Sequence, residues 1–275
     1  MNTLVSIGIP IYNPYPSKSE LYSFQQCYKV LSRYDKYVIT FKGLDLREYQ
    51  SSIQEAIECK FFNKDYFASI SGYNTLLKEY VFYNTFKDYA DILIYQLDAW
   101  VFKDTLMEWC KKGYDYIGAP WFSNYGSYED GEHLWMVGNG GLSLRKIKKF
   151  LQVTNPQTHY KSICEIFETE YYGLKTLLAC LSKCLGKRNT IAYYRDFYKC
   201  QYEDAYFTVI LSRFKNLKMT FPTAEEAAYF SFEKSPKYLY ELTNHILPFG
   251  CHAWEKYDKE FWSDKIKLDI IDRNS

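Results

Sequence analysis

The chain has 275 residues, with Lys+Arg 34 against Asp+Glu 33, and this balance lacks the basic excess of a protein that lives on phosphate backbones. Nucleic acid is therefore not an expected partner. A hydrophobic fraction of 47% and a charged fraction of 24% are ordinary for a globular protein, and the length suits one domain around a single core.

No window approaches the roughly 18 apolar residues of a membrane span. The eight cysteines form neither a CxxC pair nor a zinc-spaced set with histidine. The opening MNTLVSIGIPIYNPYP lacks the basic and long apolar regions of a secretory signal. The expectation is a cytoplasmic protein with reduced thiols. Aromatic residues reach 20%, with 29 Tyr. Coding bias and sugar recognition, in which ring faces stack on C–H faces, both produce such a composition.

In chain order, LVSIGIPI (4–11) reads as a strand closed by the turn-forming NPYP. Residues 19–34 follow as a helix, with Ser19 as N-cap and Leu21, Phe24, Tyr28 and Leu31 at helical spacing. YVITF (37–41) is a second strand, 46–60 reads helical, and 73–87 reads as one longer amphipathic helix. ILIYQLD (92–98) is a third strand, apolar on both faces as in a sheet covered by helices on each side. Residues 103–112 read helical and DYIGAPW (115–121) strand-like.

Strands alternating with helices predict a mixed, mostly parallel α/β sheet flanked by helices, in a Rossmann-like single domain. Residues 1–120 would form a nucleotide-binding half and 121–255 an acceptor and catalytic half. The latter carries a helical insertion at about 146–200, and a tail runs over 256–275.

Within the second half, WFSNYGSYEDGEHLW (121–135) is a turn-rich loop, GNGGLSLRK (138–146) joins a glycine cluster to a short strand, and EDAYFTVILSRF (203–214) opens a helix with acids in its first turn. GLKTLLACLSKCLGKR (173–188) is basic and amphipathic, and reads either as a helix packed on the core or as a peripheral membrane contact.

Four features could carry chemistry: Asp98, the GNGG loop, the Glu203–Asp204 pair and His252. Taken singly, each has an ordinary explanation. A strand-end acid is usually a turn residue, a glycine cluster a turn needing positive φ, an ED pair a helix-terminus charge effect, and a late histidine a core group. The loop lacks the spacing of dinucleotide or P-loop sites.

In their order, however, IYQLDAWVF, GYDYIGAPW, VGNGGLSLRK, YEDAYF and PFGCHAW resemble the GT-A class of nucleotide-sugar glycosyltransferases. More narrowly, they are similar to a bacterial family found with cell-surface polysaccharide genes. The resemblance covers roughly residues 5–255. It implies a hexosyl transfer from a nucleotide sugar, UDP-linked by class prior, to a polysaccharide or lipid-linked glycan precursor at the inner face of the cytoplasmic membrane. It also implies a divalent cation, Mn²⁺ or Mg²⁺, held at a DxD motif, which here reads Gln96-Leu97-Asp98. The metal ligands would be Asp98 and His252.

Asp204 would be the base of an inverting reaction, with Glu203 orienting the acceptor. Donor contacts would come from Pro10, Tyr12, Asn13, Tyr73, Asn74, Gln96, Asp98, Gly140, Gly141 and Arg145, the last as a bidentate phosphate ligand. Acceptor contacts would come from Asn139, Trp121 and Trp135. A degenerate glycan-binding or scaffold protein, motivated by Gln96, and a sugar-1-phosphate nucleotidyltransferase are the alternative readings.

Overall fold

A computed structural model describes residues 5–198, 200 and 202–266. The strands in chain order are β1 (Val5–Pro10), β2 (Asp35–Thr40), β3 (Glu58–Phe61), β4 (Asp91–Tyr95), β5 (Trp100–Val101), β6 (Tyr116–Ile117), β7 (Pro120–Phe122), β8 (Leu134–Val137), β9 (Leu142–Lys146), β10 (Ser231–Phe232) and β11 (Gly250–Cys251). Six of them form the main sheet, in the order β3-β2-β1-β4-β9-β6. The first four run parallel, and β9 lies antiparallel between β4 and β6. This is the expected α/β class with a mostly parallel sheet.

Both faces of that sheet are dry, for the reason visible in ILIY. Side chains alternate along a strand, so Leu93 and Tyr95 enter one buried cluster while Ile92 and Ile94 enter the other. The first cluster takes Phe24, Cys27 and Tyr28 from the helix Lys18–Val30 and reaches Phe249, so one core joins the two halves of the chain. The second takes Phe82, Tyr83, Phe150 and Phe207.

Several local expectations change. Ser17, not Ser19, caps the first helix, in a capping box with Glu20. Residues 46–60 hold only a short helix, Arg47–Ser51, and then β3, because Glu58–Phe61 finds β2 as a parallel partner. The segment 73–87 is two helices, Ile70–Leu76 and Tyr80–Thr85, broken at residues 77–79. The strand through ILIYQLD stops at Tyr95. Helices lie at Ile147–Thr154, Ile163–Glu170, Leu174–Leu185 and Ile191–Tyr198. After Glu203–Ala205 the helix widens to a π turn at Tyr206–Ile210. Leu4 of the first expected strand, Lys199 near the end of the insertion, Gln201, and residues 267–275 of the tail lie outside the described residues. Among the described residues, no helix is long and apolar enough to cross a membrane.

Candidate active site

The register of the small sheet assembles the site. Where β4 ends, the Gln96 amide donates to the Gly141 carbonyl at 2.9 Å and the Ala99 amide to the Gln96 carbonyl at 2.9 Å. This turn carries Asp98 out of the core at the carboxyl edge of the parallel strands, where ligands of such sheets gather. Its side chain is 48% exposed.

β11 pairs antiparallel with β5, setting Cys251 opposite Trp100, and the next residue, His252, comes up beside Asp98. β10 pairs parallel with β11, setting Phe232 opposite Cys251, and the next residue, Glu233, comes up beside the other side of His252. The distances follow. His252 Nε2 is 3.1 Å from Asp98 Oδ1 and 3.3 Å from Gln96 Oε1, and its Nδ1 is 3.4 Å from Glu233 Oε1. The last contact is an ion-pair distance without hydrogen-bond alignment. Burial opposes a charged imidazole, but the Asp98 hydrogen bond and the negative charges of Asp98 and Glu233 outweigh it and carry the His252 pKa up to about 10. Burial likewise opposes an ionised Asp98, and the His252 hydrogen bond and charge, aided by exposed Lys256, hold it below its usual range.

The GNGG loop has its glycines because side chains press against it. A Cβ on Gly138 would lie 2.1 Å from the Trp121 ring, one on Gly140 2.1 Å from Glu203 Oε1, and one on Gly141 1.9 Å from His252 Nε2. The close approach expected for a ligand at Gly140 and Gly141 is taken up by the protein's own groups. Asn139 sits at φ +61 with Oδ1 accepting from the Gly141 amide at 3.1 Å and its carbonyl accepting from Tyr116 at 2.8 Å. It is buried, so it shapes the loop instead of meeting an acceptor. We expect Gly141→Ala to drive His252 away from Asp98 and to lower stability by about 1–3 kcal/mol through overpacking. Thermal unfolding with and without ligand separates the two effects.

The expectation for Arg145 also changes. It is fully buried, and all five N–H groups are used. Nε donates to Ser143 Oγ at 3.0 Å, Nη1 to Tyr83 at 2.9 Å and Glu203 Oε2 at 3.0 Å, and Nη2 to Glu203 Oε1 at 2.6 Å and the Gly140 carbonyl at 3.4 Å. Nothing is left for a phosphate. The guanidinium stays charged: burial alone would lower its pKa, but the Glu203 charge holds it well above the ordinary value. Glu203 is therefore a buried anchor that does not reach an acceptor. Asn74 serves the same anchor, accepting from the Glu203 amide at 2.8 Å and donating to the Ile70 carbonyl at 2.8 Å.

Asp204 is the less buried member of the pair. Its Oδ2 accepts from the Gly140 amide at 3.2 Å and its Oδ1 from the Ala205 amide at 2.7 Å. Burial, then the nearby Glu233 charge, raise its pKa against these bonds. Beside it stands an aromatic group on the β7–β8 hairpin: Trp121 and Tyr125 have centroids 5.3 Å apart, and Tyr125 and Trp135 5.6 Å apart. Tyr125 is half exposed and within electrostatic reach of Asp204.

At the end of β1, Pro10 is buried in the sheet, Tyr12 is exposed and feels Asp98, and Asn13 Oδ1 caps the Tyr15 amide at 3.1 Å. The Tyr73 hydroxyl is buried without a hydrogen-bond partner, under the influence of Arg145, Glu203 and Gln96.

The structure thus brings Asp98, Gln96, His252 and Asp204 around one loop and withdraws Arg145, Glu203, Asn74 and Asn139 into its support. Glu233, Lys256 and Tyr125 are site residues that the sequence reading missed. Only the β10–β11 register marks Glu233, and nothing local in FSFEK signals that pairing.

Residues 56–252 match a family model described as "Protein of unknown function (DUF5672)". No curated protein matches the sequence. Similar solved structures include a galactosyltransferase, LgtC, in complex with donor and acceptor sugar analogs. That pair has 13% identity and a TM-score of 0.48 over 98% of this chain and 94% of that one. Another is the apo structure of the bifunctional glycosyltransferase WbbM, with 10% identity and a TM-score of 0.42 over 92% of this chain and 46% of that one.

Proposed function

The chain belongs to the family described as protein of unknown function (DUF5672), and from the geometry of its site we propose that it is a GT-A-type glycosyltransferase. The reaction moves a hexosyl group from a nucleotide sugar, UDP-linked, to a hydroxyl of a cell-surface polysaccharide or lipid-linked glycan precursor. One observation supports this above the others. A single loop carries the Asp98–His252 pair against Gly141 and the Asp204 carboxylate on the Gly140 amide. Leaving-group and acceptor chemistry are thereby set one residue apart.

The residues fit a divalent cation. Asp98 Oδ1 and Gln96 Oε1 share one side of His252 Nε2, at 3.1 and 3.3 Å, and the three would form a donor set of carboxylate, amide oxygen and imidazole once the cation displaces the Nε2 proton. Among the described residues no group of three or more His, Cys, Asp or Glu is arranged to hold a metal, so the neutral amide oxygen of Gln96 is the third donor. Bound there, Mn²⁺ or Mg²⁺ would neutralise charge developing on the departing diphosphate.

The chain's own groups supply the rest. Asp204 takes the proton of the acceptor hydroxyl as its oxygen attacks the anomeric carbon, and the electron pair of the breaking bond leaves with the diphosphate. A carboxylate raised by burial is a stronger base than an exposed one. Exposed Lys256 offers a second positive charge to the diphosphate. Tyr12 offers a ring face to the nucleotide base, and Trp121, Tyr125 and Trp135 offer ring faces to the acceptor sugar.

We expect Asp204→Asn to retain nucleotide-sugar binding and lose about 10²–10⁴-fold in transfer rate. Release of UDP, GDP, dTDP or CMP from the corresponding sugar donors with a hydroxyl acceptor checks the rate, and thermal shift with each donor checks binding. Full turnover in the variant removes Asp204 as base. No binding and no turnover with any donor makes the protein a degenerate glycan-binding module.

A further inference from the structure

The helices Leu174–Leu185 and Ile191–Tyr198, with the turn Lys187–Asn189 between them, border a cleft of about 990 Å³. That volume lies at the upper end of the range of small-molecule sites, about 300–1,000 Å³. None of its lining residues belongs to the Asp98–His252–Asp204 site.

The wall is pinned in place. Asn189 is buried and clamps the turn to residues 160–161: its Oδ1 accepts from the Lys161 amide at 3.1 Å, its Nδ2 donates to the Lys161 carbonyl at 2.8 Å, and its carbonyl accepts from the Tyr160 amide at 3.0 Å. Aromatic packing holds the lining as well. Tyr160 and Tyr194 lie 4.6 Å apart between ring centroids, and both pack on Phe214, at 5.1 and 4.9 Å. Tyr193 lines the cleft and keeps 44% of its surface exposed.

The charges on this wall do not cancel. Lys183, Lys187 and Arg188 line it against one acid, Glu170. Glu170 is shared by Lys183 and Lys161, at 2.8 Å each. Burial opposes its ionisation, but the hydrogen bonds of these two lysines hold it below the usual carboxylate range. Lys187 and Arg188 are exposed and, among the described residues, have no ion-pair partner. Two unpaired cations beside a cleft favour an anionic occupant. No side-chain amide lines the cleft, so the edge of a nucleotide base would lack a paired donor and acceptor there. Tyrosine rings with their hydroxyls suit the C–H faces and hydroxyls of a sugar.

We propose that this cleft binds an anionic saccharide, with Lys187 and Arg188 meeting its carboxylate or phosphate group and the tyrosines meeting its rings. The proposal does not depend on the transferase reading, because the two sites share no residue.

The test is titration calorimetry of the full chain with four probes. Trigalacturonic acid and glucose 6-phosphate carry the carboxylate and the phosphate form of the ligand; maltotriose is the neutral sugar and inorganic phosphate the bare anion. We expect a charged sugar to bind, less tightly as salt is added, and both controls to bind more weakly; which charged sugar binds names the anionic group. Lys187→Gln/Arg188→Gln should weaken that binding about tenfold, the scale of two exposed ionic contacts. Both side chains are exposed, so the melting temperature of this variant should match the wild type, which shows that it folds. Tyr193→Ala should also weaken the sugar. Absence of binding by both charged sugars overturns the proposal, as does maltotriose or inorganic phosphate binding as tightly as they do. Binding that survives Lys187→Gln/Arg188→Gln and is lost in Asp98→Ala belongs to the Asp98 loop and overturns it too. Thermal shift with nucleotide sugars reads the other site, so either proposal can fail while the other stands.

Discussion

Asp98→Ala is expected to abolish the stabilisation that a nucleotide sugar with Mn²⁺ confers on the protein. A ligand that binds only the folded state stabilises it by mass action, by about 2.7 kcal/mol at a hundred times its dissociation constant. For a chain of this size that is a rise of roughly 5–10 °C in melting temperature. Among the described residues, Asp98 is the only anionic donor in contact with His252 Nε2, since Glu233 lies against Nδ1 on the far side of the ring. Its loss leaves one neutral amide oxygen and one imidazole, too little to hold a hard cation against a diphosphate. Thermal shift of wild type and variant, with and without Mn²⁺, reads the result. A shift that requires Asp98 but not Mn²⁺ assigns the carboxylate to the sugar or to the cationic His252, and removes the metal. A shift that survives in Asp98→Ala removes Asp98 from the donor site.

The second large effect falls on the buried ion pair. Arg145→Met or Glu203→Ala leaves one buried charge without its partner, which costs about 3–5 kcal/mol and lowers the melting temperature on the order of ten degrees. Arg145 also satisfies Tyr83, Ser143 and the Gly140 carbonyl, so its removal exposes several polar groups to an apolar surround. The double variant Arg145→Met/Glu203→Leu, which removes both charges and restores apolar volume, should recover much of the loss. Denaturant unfolding of the two single variants and the double variant checks this. If Arg145→Met instead unfolds like wild type and loses donor binding, the guanidinium is a phosphate ligand after all.

The two experiments also separate what was readable along the chain from what was not. Sequence alone determined the α/β class, because apolar runs such as SIGIP and ILIY and the helical repeat at Leu21, Phe24, Tyr28 and Leu31 are local signals of covered strands and an amphipathic helix. It also placed Asp98 just past a strand, while Asp204 and His252 were marked only through the resemblance that the ordered segments carry. Short elements escaped it. β3 exists through pairing with β2, and the break at residues 77–79 divides what a helical repeat alone would continue.

Tertiary structure alone decided which polar residues are available to a ligand. Arg145, Glu203, Asn74 and Asn139 have the side chains of a binding site but are consumed by one another and by backbone groups. Glu233 carries no sequence signal and reaches His252 through strand register. Hydrogen-bonding capacity is fixed by residue type, but whether it is already satisfied depends on neighbours 58, 129 or 156 positions away, and only the folded chain brings those together.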